Sequence, residues 1–458
     1  MTAIDMSVRP SPGTPRAYAF PAFFSQRLAN GLRVVVAPVR KLPLVTVLAL
    51  IDAGSVADPV GQEGVAQLTA SLLTEGTGNL TGSALAEVVE LMGSTLDAGA
   101  DWDSSVVKLT TLSSRLPDAI ALLARVLTEP ALPEDEFQRL RNERLAELLQ
   151  QRSEPRSLAD EAFAQCVYAP DARFAKPDGG SERSVRALTL EQLRAFYAAR
   201  YSPPATTVVL VGDVDTDAGF ALVTRVLGSW SGAMSVVSAL PDTVSAAPRR
   251  VRIVRKAEAS QSELRIGHVG PPRLTPDYFP LVLCNAILGG LFSSRLNLNL
   301  REEHAYTYGA HSGVDWRRWA GPFSMDAAVQ SDVTAAAVRE ILTEFDRIRS
   351  ERVSEGELTL AQSYLDGVFP IRFETTRAIA SALASQAIYD LPPDYYDTYR
   401  ANIRAVTADE ILRVAQTHFD PTRLQIVAVG DPAMIADPLA ALNVGEVTVT
   451  DPVDTLGA

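Results

Sequence analysis

The sequence is poor in the residues that build covalent or metal-clamped frameworks. It has two cysteines in 458 residues, Cys166 and Cys284. They stand far apart, each in an apolar helical stretch, so a disulfide framework and a cysteine-based zinc site are excluded. Both thiols read as small buried hydrophobes. There are four histidines, His268, His304, His311 and His418, and no pair has the His-x-x-x-His spacing of a zinc helix. Each reads as an ordinary surface or core side chain. Basic residues are scattered and mostly Arg, and the net charge is −13, which argues against nucleic acid or an anionic membrane as partner. No run approaches the ~18 apolar residues of a membrane span. The start, "MTAIDMSVRPSPGTPRAYAFPAFFSQ", lacks the apolar core of a secretory signal. The expectation is a cytoplasmic protein, or a periplasmic one if a signal was removed, without a membrane span.

What is present suits a globular chain with sizeable cores: 47% hydrophobic and 21% charged residues. The chain also repeats itself. "LTLEQLRAFYAARYSPPATTVVLVGDV" (188–214) matches "VTADEILRVAQTHFDPTRLQIVAVGDP" (406–432) without a gap. Thr189 aligns with Thr407, Tyr201 with Phe419, Pro203 with Pro421, and Gly212-Asp213 with Gly430-Asp431, always 218 residues apart. Each copy has a Thr at a helix N-cap, an amphipathic helix, a Pro that stops it, and a β-branched run read as a buried strand. Between the copies, residues 231–249 are rich in Ser, Ala and Pro and read as a linker. One domain is expected over 20–230 and a homologous one over 250–445, with a loosely held tail beyond.

Periodicity predicts strands over 32–39 and 43–54, helices over 62–75 and 83–93, a hairpin over 94–112, and helices over 115–128 and 134–151. Runs of strands and runs of helices follow one another without strict alternation. The fold class expected is α+β, each half a mainly antiparallel sheet packed with helices.

On "LANGLRVVVAP", "DAGSVADPVGQEGVAQLTASLLTEGT", both "VGD" strand ends and "LGGLFSSRLNLNLREEHAYTYGA", the chain resembles the pitrilysin/insulysin family of inverzincin peptidases, whose relatives include the mitochondrial processing peptidases. In active members the helix equivalent to 64–75 carries HxxEH. Two imidazoles one turn apart bind zinc, and the Glu activates the metal-bound water. Here the frame (Gly64, Ala66, Leu72 and "EGT" 75–77) is kept, while the chemical positions hold Gln67, Ala70 and Ser71. Glu147 falls about where the family's third ligand lies, or is simply a solvated helical Glu. One carboxylate does not hold zinc without the imidazoles, so no metal site is expected in this chain.

In the second half the resemblance implies that Arg301 and Tyr308 approach a zinc site from the opposing half, bonding substrate backbone and developing oxyanion. Arg301 is placed near a helix end and Tyr308 on the following strand. On the residues alone, Arg301 also reads as a helix C-terminal cation and Tyr308 as a strand aromatic. Tyr306, alternating onto the same face, competes with Tyr308. Gly289 and Gly290, in "LGGLFSSRL" (288–296), read as a loop bordering the substrate chamber or as a helix–helix turn; the GxxxxGK[ST] phosphate loop is absent.

These implications define the expected function: a non-catalytic, substrate-binding subunit of a heterodimeric zinc metallopeptidase. A homologous HxxEH-bearing partner holds the zinc, and a peptide or unfolded segment is the substrate. The alternative is a structural scaffold or peptide-binding protein without a peptidase role.

Overall fold

The computed structural model describes residues 17–233, 244–245 and 247–452. Residues 234–243 and 246 of the expected linker lie outside the described residues. Two six-stranded sheets carry the fold. The first runs Phe24–Arg27, Arg33–Pro38, Thr206–Gly212, Leu44–Ile51, Ser105–Leu112, Thr95–Ala100. The second, read from its far edge, runs Glu446–Thr450, Arg250–Arg255, Gln425–Gly430, Gln261–Val269, Pro322–Gln330, Ala310–Val314. Apart from the first strand of each series, the order is the same. In both, a parallel pair joins three antiparallel ladders. This is the expected α+β architecture in two copies.

One boundary differs. Glu446–Thr450 was expected to be loose tail. Its "EVTVT" alternation instead adds a strand, parallel to Arg250–Arg255. The duplicated helices start as expected: Thr189 and Thr407 accept from the backbones of Gln192 and Glu410, whose side chains bond back to complete capping boxes.

The β-branched runs show no alternation because both faces of the central strands are covered. Val208 and Leu210 face the first half's own helices, while Val209 and Val211 face the other way. What covers that second face comes from the opposite half. Helix Thr376–Ile388 lays Ile379, Ala380 and Leu383 on Val35, Leu48 and Leu50 of the first sheet. Reciprocally, helix Pro155–Val167 lays Leu158, Ala162 and Cys166 on Val254, Val427 and Val429 of the second. Each half lends the other a helix. Both cysteines are buried and free, and burial pushes the Cys284 thiol up to about 12.

The helical stretch Tyr278–Glu303 is long and apolar enough to cross a membrane, which the sequence reading had not credited. It is broken between Gly290 and Arg295, and Leu281, Leu283, Ile287, Leu296 and Leu300 pack into the second core. Its apolarity thus serves that core.

His268 sits in the same half, buried among Phe323, Phe345 and Phe419. Its Nδ1 meets Val269 O at 2.9 Å and its Nε2 accepts from Asp420 N at 3.2 Å, the pattern of a neutral ring. Burial lowers its pKa to about 4. The unfolded chain takes up a proton near pH 6.5 that the folded chain refuses, so stability is full above that value and falls as pH drops toward 4. The loss should total roughly 3 kcal/mol, at about 1.4 kcal/mol per pH unit. Urea unfolding midpoints measured from pH 7 to 4.5 check this: the wild-type slope should exceed that of His268→Phe by about that amount, and equal slopes would refute it.

Candidate functional site

The site helix, Val65–Leu72, begins at a glycine for a steric reason. Gly64 has φ 99°, and a Cβ there would stand 2.7 Å from the Gly179 carbonyl oxygen. Gly180, with φ 78°, approaches the Glu63 carbonyl so closely that a Cβ would clash at 2.1 Å. The turn Asp178-Gly179-Gly180 is thus pressed against the helix start. Beneath it, buried Asp58 accepts from the backbones of Gly64 (2.8 Å) and Ala66 (3.0 Å), and Arg173 pairs with it at 2.8 Å. A carboxylate at a helix N-terminus satisfies orphan N–H groups and complements the dipole. Lys176, two residues before that turn, pairs with Glu63 at 2.8 Å. The frame that holds an active-site helix in place is intact.

The chemical positions are not. Ala70 is wholly buried and carries no polar atom; Gln67 and Ser71 are half-buried. Gln67 Oε1 and Arg144 Nη2 each lie 2.5 Å from the point where a Gly179 Cβ would stand, so the two side chains are neighbours. Arg144 also donates from Nε to Gly179 O and from Nη1 to Glu147 Oε2, both at 3.1 Å. Glu147 itself is exposed. The donor set therefore does not fit zinc. An amide, a methyl and a hydroxyl replace imidazoles and carboxylate, and a guanidinium occupies the space beside them and pairs with the remaining Glu. Among the described residues no group of three His, Cys, Asp or Glu side chains could hold a metal ion.

Arg144 also borders a cavity of about 600 Å³ between the halves, lined by Glu161, Tyr168, Arg265, Asp315 and Arg317 among others. Burial pushes the Glu161 carboxyl up to about 8, so it is largely protonated at neutral pH. Salt bridges span the interface beside it: Arg265 with Asp160 at 2.6 Å and Arg318 with Asp52 at 2.9 Å.

The second-half residues lie on a surface segment. Arg301 is on the turn Leu298–Glu303, over the Phe292 ring at 4.6 Å and 3.3 Å from Glu302. Tyr308 is 92% exposed. It is not on the strand, which starts at Ala310. Ala305 at φ 55° turns the chain, and Thr307 Oγ1 accepts from Gly309 N and donates to Ala328 O at 2.6 Å, holding a loop in place of a ladder. Tyr306 does not share a strand face with Tyr308; it stacks on His304 at 5.0 Å. The contacts of Arg301 (Phe292, Glu302) and Tyr306 (His304) stay within this segment of the second half and do not reach the site helix.

Gly289 and Gly290 close a helical turn, Ala286–Gly290, ahead of the next helix at Arg295, the second of the two expected readings. Gly289 is buried, and a Cβ would stand 2.5 Å from Ser312 N; its lack of side chain lets the helix touch the edge strand Ala310–Val314. Gly290 is exposed and lines a cavity of about 300 Å³ with Gly313 of that strand.

Sequence reading missed Arg144, Asp58 and the 178–180 turn. Arg144 stands three residues before Glu147, hence on the same helix face, and the Asp-Gly-Gly turn is visible in the string. The Asp58–Arg173 pair, 115 residues apart, leaves no local trace.

Comparison with known proteins agrees with this geometry. Residues 33–172 match the family described as Insulinase (Peptidase family M16), and residues 187–365 match Peptidase M16 inactive domain. An uncharacterized zinc protease of Mycobacterium tuberculosis is 27% identical over 412 residues, 89% of this chain and 93% of that protein. A non-peptidase homologue of Helicobacter pylori is 22% identical over 391 residues, 84% and 88% of the two chains. The crystal structure of a peptidase M16 inactive domain from Pseudomonas fluorescens superposes with TM-score 0.84 at 26% identity, covering 89% of this chain and 98% of that one. With family matches in both halves and a site helix whose frame survives without its ligands, the chain belongs to the M16 peptidase family as an inactive member.

Proposed function

We propose that this chain is the zinc-free, substrate-binding subunit of a two-chain M16 peptidase. A homologous partner carrying HxxEH supplies the metal and the general base, and this chain supplies Arg301 and Tyr308 to the composite site. The observation that carries the reading is the contrast between the two surfaces. The site helix keeps its caps and its glycine contacts but has lost every ligand, whereas Tyr308 holds a phenol out to solvent from a loop fixed by Thr307. A hydroxyl so presented suits a hydrogen bond to a carbonyl that gains charge on another chain. The edge strand Ala310–Val314, beside Gly290, has a strand partner on one side only, so an extended peptide would pair along its other edge.

The test is reconstitution. The purified chain should bind no stoichiometric zinc and cleave no peptide, and addition of the HxxEH-bearing homologue from the same genome should give peptidase activity above that of the homologue alone. Stoichiometric zinc with turnover in the isolated chain would overturn the proposal. A complex that forms without gaining activity would favour the scaffold reading.

A further inference from the structure

Away from both surfaces, Arg273 presents an electrostatic puzzle. It is 7% exposed, and among the described residues no carboxylate lies within ion-pair distance of it. Aromatic rings hold it: its guanidinium carbon is 3.5 Å from the centre of Tyr278, 5.2 Å from Tyr395 and 5.9 Å from Tyr389. Nη2 donates to Tyr395 Oη at 2.6 Å, and among the described residues Nε and Nη1 meet no acceptor. Burial raises the Tyr395 and Tyr389 hydroxyls, so neither ring is a phenolate counterion at neutral pH. Cation–π contact offsets part of the cost of burying a guanidinium, but a buried cation ordinarily has an anion beside it.

Arg273 forms one wall of a cavity of about 350 Å³. Leu274, Pro276, Phe279, Leu391 and Pro392 make the rest largely apolar. Two helices, Tyr278–Asn285 and Tyr395–Ala405, begin at this cavity, and neither has a side-chain cap on its first turn. Their N–H groups add positive potential to that of the guanidinium. The acidic groups nearby are Asp277, engaged by Arg413 and His418 at 2.7 Å each, and Asp394, exposed at the rim.

We propose that this cavity binds a monocarboxylate on an apolar or aromatic body, the carboxylate against the Arg273 guanidinium and the body against Phe279 and Leu391. The C-terminal residue of a peptide and a small organic acid share this chemistry. With one Nη2 hydrogen taken by Tyr395, the remaining N–H groups offer a charge-assisted bond to a carboxylate, and replacing the acid by its amide removes the charge while keeping the shape.

The full chain is titrated with phenylacetate and N-acetylphenylalanine, with their amides as controls. Trp316, whose ring lies 5.0 Å from Tyr278, reports binding by fluorescence, and the thermal midpoint reports it independently. The acids should bind at least tenfold more tightly than the amides and raise the midpoint. Preference for N-acetylphenylalanine assigns the peptide terminus; equal affinity assigns the organic acid. Arg273→Met should weaken the acids at least tenfold. Because that variant also loses ring contacts, Leu274→Trp serves as the second: Leu274 is 62% exposed at the cavity wall, so the substitution should fill the site and abolish binding while leaving the midpoint of the free protein in place. Amides binding as well as acids, or no saturable binding of either acid to the folded wild type, overturns the proposal and leaves Arg273 a structural cation.

Discussion

In the reconstituted two-chain complex, Tyr308→Phe should lower kcat by about 10²–10³ while KM and assembly stay near wild type. The substitution removes one oxygen. Tyr308 is 92% exposed, so its effect on stability should stay within about 0.5 kcal/mol. Any large kinetic effect must then come from the lost hydroxyl. A donor aimed at the developing oxyanion is felt in the transition state and little in the ground state, so kcat falls and KM does not. Arg301→Ala should behave differently. It strips a cation from the Phe292 face and from the substrate backbone, so KM should rise as well. Initial rates against peptide concentration, with complex formation followed by gel filtration, separate these outcomes. A Tyr308→Phe complex with kcat within twofold of wild type removes this residue from the composite site.

Asp366→Ala should destabilise the chain by about 3–5 kcal/mol, the cost of breaking a buried ion pair from one side. Asp366 lies on helix Glu355–Arg372 and is buried. It accepts from Arg400 Nε at 2.7 Å, Arg400 Nη2 at 2.9 Å and Arg404 Nη2 at 2.8 Å, both on helix Tyr395–Ala405. Alanine strips this carboxylate from the largely buried Arg400 guanidinium and from Arg404 together. The double variant Asp366→Leu with Arg400→Met should recover most of the loss, because apolar groups of similar volume need no counter-charge. Urea unfolding reads both. If Asp366→Ala alone costs under 1 kcal/mol, the pair is solvated and the argument fails.

The features legible in the sequence were those set by neighbours in the chain. Thr189 and Thr407 signalled helix starts because a cap and its N3 partner stand three residues apart. The β-branched runs signalled buried strands, and Gly64 and "EGT" framed the site helix with its empty positions. What was hidden depended on distant partners or on competing local bonds. Nothing near Val209 or Val427 says that the helix covering it belongs to the other half. "YTYGA" alternates like a strand, yet the positive φ of Ala305 and the Thr307 hydroxyl bonds made it a loop. Gly289 reads as flexibility but provides close contact with Ser312.

The lent helices have a mechanical consequence. Parting the two sheets would strip Leu158 and Ala162 from one and Ile379 and Leu383 from the other in a single movement, exposing apolar surface on both sides at once. Separating the two halves of this polypeptide therefore costs both contacts together, and in the two-chain reading proposed above the peptide enters along the seam with the partner.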